Sequence, residues 1–250
     1  MKVAATIAFL CTCCALDSTA QQEAVMNQTT RDLINMRGLL LPSSNTTTLF
    51  GIKVPKGDVV GDPYIDVNWQ KGDCKLYRKI GPPGREGDSI SNVPLRYDLY
   101  SQELEIKVDN SAEVRVIGSD MLAMFTTNTP VPRMYLNTRE FKSEDELKGF
   151  VEVVKMGARL SLFEYPKLTI IKPTYNEALS SGSRDTKITK TPQYYYLRGR
   201  TLFKLGTSKK KILEAMPDRA DDVEKFIKAN DFDLKSRAAL IQIVDYYNSL

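Results

Sequence analysis

The chain has 250 residues, with 35 Lys and Arg against 31 Asp and Glu, a formal net charge of +4. So small an excess is a statement about solubility and does not by itself call for a polyanionic partner. There is no His, which removes Ser-His-Asp and Cys-His nucleophile pairs, the commonest general base and most zinc sites.

Met1-Lys2 followed by the apolar run from Val3 to Leu16 and by Asp17-Ser18-Thr19-Ala20 has the three-part plan of a secretory signal, 1–20. It predicts cleavage between Ala20 and Gln21. The run is shorter than the roughly 20 residues a membrane span requires, and no later stretch approaches that length. The competing lipoprotein reading, an anchor at Cys13 behind Leu10-Cys11-Thr12, has the unsuitable Thr12 before the acylated position. Cleavage at Ala20 removes Cys11, Cys13 and Cys14 and leaves Cys74 alone, so the exported chain can form no internal disulfide. Its place in the strand-like Cys74-Lys75-Leu76-Tyr77 predicts a buried thiol.

Residues 21–48 read as a polar linker with helical spacing of Leu33, Ile34 and Met36. Asn27-Gln28-Thr29 and Asn45-Thr46-Thr47 match the glycosylation sequon. From 49 to 205 the hydrophobic period is two. Glu103-Leu104-Glu105-Ile106-Lys107-Val108 alternates without a break, as half-buried antiparallel strands do. Further strands are predicted at 95–99, 113–116, 121–126, 133–137, 150–156, 160–165, 168–171 and 194–205, the last broken at Arg198-Gly199. Short turns between them argue for a meander, since parallel strands need longer crossovers. Two stretches, 79–92 around Gly81-Pro82-Pro83-Gly84 and the polar 174–191, read as long loops, a length that belongs to binding or mobile segments. In 206–250 the period becomes helical. Thr207-Ser208, Asp218 and Asp233 are the candidate caps, and Leu240, Ile243, Val244 and Tyr247 form an apolar stripe. The fold class is thus mainly β (α+β), an antiparallel meander, curved or partly closed, with a short helical C-terminus packed on it.

Trp69-Gln70-Lys71-Gly72, Val93-Pro94-Leu95-Arg96-Tyr97-Asp98-Leu99-Tyr100 and the ending Tyr246-Tyr247-Asn248-Ser249-Leu250 resemble a group of exported proteins common in Bacteroidetes-type bacteria. The resemblance implies an envelope location and this fold, and it supplies no activity and no functional residue.

Arg184 to Lys211 is the most basic stretch and encloses Tyr194-Tyr195-Tyr196. Tyr194, Tyr196, Arg198 and Arg200 are the ligand-binding candidates, because basic residues interleaved with aromatics suit acidic glycans or nucleic acid. The bland alternative is a solvated strand face, with Tyr195 and Leu197 turned inward beside Phe203 and Leu205. An exported protein is not expected to meet nucleic acid. Asp58, Asp62 and Asp66 lack the closing Glu of a calcium loop, so no metal and no cofactor is expected. Glu140, Glu144, Asp145 and Glu146 gather beside Ser143 and read as a capped turn; whether any carboxylates pair for hydrolysis depends on their separation. Trp69 reads as a core anchor. The leading functional expectation is an exported, periplasmic or secreted envelope protein, non-enzymatic, that binds a protein or surface ligand, with peripheral membrane association open to it. A carrier enclosing an apolar ligand is the alternative, and a carboxylate hydrolase comes third.

Overall fold

The computed structural model describes residues 58–108, 113–128 and 130–250; the signal, the linker and both sequons lie outside them. Twelve strands among these residues form one sheet: β1 (Val59–Val60), β2 (Gln70–Ile80), β3 (Gly87–Asp98), β4 (Glu103–Lys107), β5 (Val114–Gly118), β6 (Leu122–Thr127), β7 (Arg133–Asn137), β8 (Lys142–Ser143), β9 (Phe150–Lys155), β10 (Ser161–Ile171), β11 (Thr186–Arg198) and β12 (Thr201–Leu205). Their order is β5-β4-β3-β2-β6-β7-β9-β10-β11-β12-β8, with β1 attached to β11. The sheet does not close on itself. Three helices follow: α1 (Lys209–Glu214), α2 (Ala220–Asn230) and α3 (Arg237–Ser249). No helix among the described residues is long and apolar enough to cross a membrane.

Alternation along the strands sorts side chains by face. Leu95, Leu104, Ile106 and Ile117 are fully buried on one face, opposite one another in successive pairs or one row apart. An aromatic stack extends this core. Phe125 lies 4.5 Å from Tyr135 and 5.4 Å from Tyr97, and Phe150 meets Tyr97 edge-on at 5.1 Å. Cys74 pairs with Phe125 across β2 and β6. It is buried as expected, and burial pushes its thiol up to about 12.

The same face continues into a second core, where the helices pack. Leu162, Tyr194 and Leu205 of the sheet meet Ile212, Met216, Val223, Leu240, Ile243 and Val244. The stripe on α3 is buried throughout. Asn248 fastens its end by accepting from Arg159 N (2.9 Å) and Leu160 N (3.1 Å) and donating to Leu160 O (2.9 Å). Ser208 caps α1 by accepting from Lys211 N. Two expected caps are otherwise engaged. Asp218 accepts from Arg159 Nη1 at 2.8 Å and from the Tyr247 hydroxyl, while Arg219 holds the cap position of α2. Asp233 accepts from Lys235 N at 3.1 Å, and α3 starts behind Ser236.

A third cluster lies on the opposite face. Val151, Phe163, Tyr195 and Leu202 are buried there beneath Phe141 and Leu147. The inward group expected from the sequence is therefore wrong: Tyr195 and Leu197 belong to this cluster, whereas Leu205 sits with Tyr194 and the helices. The cause is the two-residue hairpin loop Gly199-Arg200, which pairs Arg198 with Thr201, Tyr196 with Phe203 and Tyr194 with Leu205. Odd residues of β11 thereby face even residues of β12.

Both expected long loops are shorter than predicted. The 79–92 stretch is the β2–β3 hairpin, where only 81–86 leave the ladder. Register shifts and a left-handed Asn92 (φ 55°) absorb the irregularity that reads as loop in the sequence. In 174–191, strand pairing resumes at Thr186, and residues 172–185 form a loop braced by Thr174 N to Ser183 O and Asn176 N to Ser181 O, both 2.8 Å. β10 runs unbroken through Pro166, which sits opposite Pro192. Two short parallel pairs, β1 with β11 and β8 with β12, depart from the pure meander.

Candidate functional site

The four candidate residues are not brought to one site. Tyr194 is 5 % exposed in the helix-covered core. Burial, reinforced by Glu164, pushes its hydroxyl up to about 12. Tyr196 is half-buried on the same face, stacked on Phe203 at 5.6 Å, with the Arg198 guanidinium 5.6 Å from its ring. Arg200 donates to Glu140 O at 3.3 Å from the hairpin tip. Nor is Trp69 a core anchor: it is half-buried, and the Arg96 guanidinium lies 4.4 Å over its ring and 4.0 Å over that of Tyr64. Arg96 is fixed there by Glu105 Oε2 at 2.7 Å and by the Tyr64 hydroxyl at 3.0 Å.

Among the described residues no group of three His, Cys, Asp or Glu is placed to hold a metal. Asp62 pairs with Lys190 at 2.9 Å. Asp66 accepts from Asn68 N at 2.9 Å and from Asn68 Nδ2 at 3.1 Å.

Between the first and second cores the register sets Tyr135 beside Glu152, Glu152 beside Glu164 and Glu164 beside Tyr194. This polar row is a pair of facing carboxylates, Glu152 being 5 % exposed. Arg237, entering from α3, donates to both of them. Burial draws the guanidinium down, and the two carboxylates more than offset it, so it stays held above its ordinary value. Arg133 lies 3.9 Å from Glu152 at the mouth of a cavity of about 160 Å³ over the row. Both carboxylates are thus held by one guanidinium, an arrangement that ties helix to sheet.

A wide concavity lies elsewhere, an open groove of about 500 Å³. The β3–β4 turn supplies Tyr100 and Gln102 to one wall, the 145–148 segment supplies Asp145, Glu146 and Lys148, and the β10–β12 surface supplies Tyr165, Lys167, Gln193, Tyr195 and Lys204. Each wall is held firmly. Asp98 Oδ1 accepts from Tyr100 N (2.7 Å) and Ser101 N (3.2 Å), fixing the turn. Gln102 donates to Leu99 O and accepts from the Tyr97 hydroxyl at 2.9 Å. Gly149 passes so close that an added Cβ would lie 1.9 Å from Gln102 Oε1, and its φ of +77° also suits only glycine. Across the groove the Tyr195 hydroxyl donates to Asp145 Oδ2 at 2.6 Å, with Lys204 Nζ 3.7 Å from the same oxygen. Burial, and then that hydrogen bond, hold the Tyr195 hydroxyl well above the ordinary phenol range. The Ser143–Glu146 cluster is the capped turn expected, with Asp145 N donating to Ser143 Oγ at 3.2 Å.

Tyr100, Gln102, Tyr165 and Gln193 are not among the sequence candidates. Each is unremarkable alone, and only the sheet order sets a β3–β4 turn beside the β10–β11 hairpin. The chain matches no family model, no curated protein and no solved structure, so its site is read from its own geometry.

Proposed function

We propose that the chain is an exported cell-envelope protein whose work is binding without covalent chemistry, and that the 500 Å³ groove takes a segment of a partner protein or a surface ligand. The observation that carries this reading is the groove's composition on hydrogen-bonded walls: tyrosines, glutamines and charges of both signs line it. Specific sites of this kind orient polar ligands with a few fixed groups. The facing carboxylates Glu152 and Glu164 are clamped by Arg237, which speaks against their use in a hydrolase. The space under the helices is occupied by Leu162, Ile212, Met216 and Ile243, which speaks against a carrier enclosing an apolar ligand there.

The test is retention of an envelope component on tagged, exported protein, compared with Tyr165→Ala/Gln193→Ala and with Arg78→Ala in the separate hollow near Tyr77. The reading expects loss only in the groove variant. Equal retention by all three would remove the groove from consideration. Intact mass of the same preparation, beginning at Gln21, checks export and processing.

A further inference from the structure

The outer face of the β10–β11 hairpin prolongs the groove as a flat ladder. Pairing sets Lys204 and Phe163 on either side of Tyr195, Tyr165 opposite Gln193, Lys167 opposite Thr191, Thr169 opposite Thr189 and Ile171 opposite Lys187. Opposed residues share a face, so Lys204, Lys167 and Lys187, one each on β12, β10 and β11, recur on this one every four residues, with offsets of about 14 Å along the strand direction. All three are exposed, as are Thr169, Thr189 and Thr191 between them. Lys167 and Lys187 have no ion pair among the described residues, neither β10 nor β11 places an acid on this face, and Lys204 lies 3.7 Å from Asp145 where the ladder meets the groove. Three other lysines of the basic stretch are engaged elsewhere: Lys190 on the opposite face with Asp62, Lys209 with Glu224 and Lys211 with Glu214. The structure thus divides a diffuse basic run and aligns two of its lysines with Lys167 and with Lys148 in the groove.

We propose that this ladder, together with the groove, binds an extended acidic polysaccharide. Carboxylate or sulfate groups would meet Lys204, Lys167 and Lys187, hydroxyls would meet Thr169, Thr189, Thr191 and Gln193, and a sugar ring would lie on Tyr100 or Tyr165. A net charge of only +4 is no obstacle, because the charge is local and regularly spaced. A lipid surface fits less well, since Ile171 (48 % exposed) is the one large apolar side chain the ladder presents. The proposal rests on the reading of the groove as a binding site.

The experiment uses the exported chain in native gels containing polygalacturonate, heparin or neutral dextran. Retardation is expected in the two acidic gels and not in dextran, weakening as salt rises from about 50 to about 200 mM. Lys167→Glu/Lys187→Glu should reduce apparent affinity about tenfold or more, and Lys210→Glu, off the ladder, should not. Thr189→Ala/Thr191→Ala/Gln193→Ala keeps the charge and should still weaken binding, with an unchanged melting temperature confirming the fold. No retardation, full retention by the threonine variant, or equal affinity for polyglutamate would each overturn the proposal. If acidic glycans fail while the Tyr165→Ala/Gln193→Ala variant still loses its envelope component, the ladder assignment falls and the groove reading survives.

Discussion

Asp98, a residue only 4 % exposed, closes the β3–β4 turn with its carboxylate. Burial raises its pKa, and the backbone bonds from Tyr100 and Ser101 oppose the rise without cancelling it. The sign follows from linkage. A carboxyl that binds its proton more tightly folded than unfolded destabilises the fold while ionised, and this cost fades as pH falls through the raised value toward the ordinary 3.8. Asp98→Asn keeps the acceptor oxygen and removes the charge. It should therefore unfold at the same or a higher urea concentration than wild type at pH 7, with the difference shrinking toward pH 4. Asp98→Ala leaves two turn N–H groups without their acceptor and should lose roughly 1–3 kcal/mol at either pH. An Asn variant markedly weaker than wild type at pH 7 would contradict the burial cost.

At the scale of elements, the join between α3 and the sheet has two unlike parts. One is the apolar stripe of Leu240, Ile243 and Val244, which attracts without choosing a position. The other is Arg237, whose fork meets Glu152 from β9 and Glu164 from β10 and so sets the register of the helix on the sheet. Removing one partner of a buried pair strands the others. Arg237 is about a third exposed (34 %), which places the expected loss for Arg237→Met near the low end of the usual range, about 3 kcal/mol. Arg237→Lys should recover only part, because an ammonium cannot bridge two carboxylates as a planar fork does. Combining Arg237→Met with Glu152→Gln and Glu164→Gln removes the stranded charges and should return most of the loss. Urea midpoints at constant slope measure all four proteins; a wild-type midpoint for Arg237→Met would dismiss the latch.

For the whole molecule, what local pattern dictates was readable and what depends on distant neighbours was not. Glu103 to Val108 announces its strand because each side chain's face is set within the strand itself. The stripe on α3 is legible for the same reason. The burial of both Tyr194 and Tyr195 was not, since alternation assumes that one face is wet, whereas β11 is covered by helices on one side and by Phe141 and Leu147 on the other. The parity of β12 depended on one hairpin loop length. The groove was hidden altogether, its walls coming from residues near 100, 146, 166 and 193 that meet only through sheet order.

One link in that order stands apart in sequence distance. Most strands pair with a near neighbour, but the first described strand is held by β11: Asp58 N donates to Asp185 Oδ1 at 3.1 Å across a separation of 127 residues, and Thr186 N donates to Asp58 O at 3.0 Å. Closing so long a loop costs more chain entropy than closing any hairpin and slows the step that requires it. A chain that emerges from its N-terminal side has nothing for Val59 to join until Thr186 has followed. The clasp is thus a timer: hairpins zip in passing, and the first described strand waits for one that follows more than a hundred residues later. In pulse-labelled refolding the Thr186 amide should gain protection after the Ile106 and Ile117 amides, which bond across β4 and β5, and protection in a single common phase would show that no such delay exists.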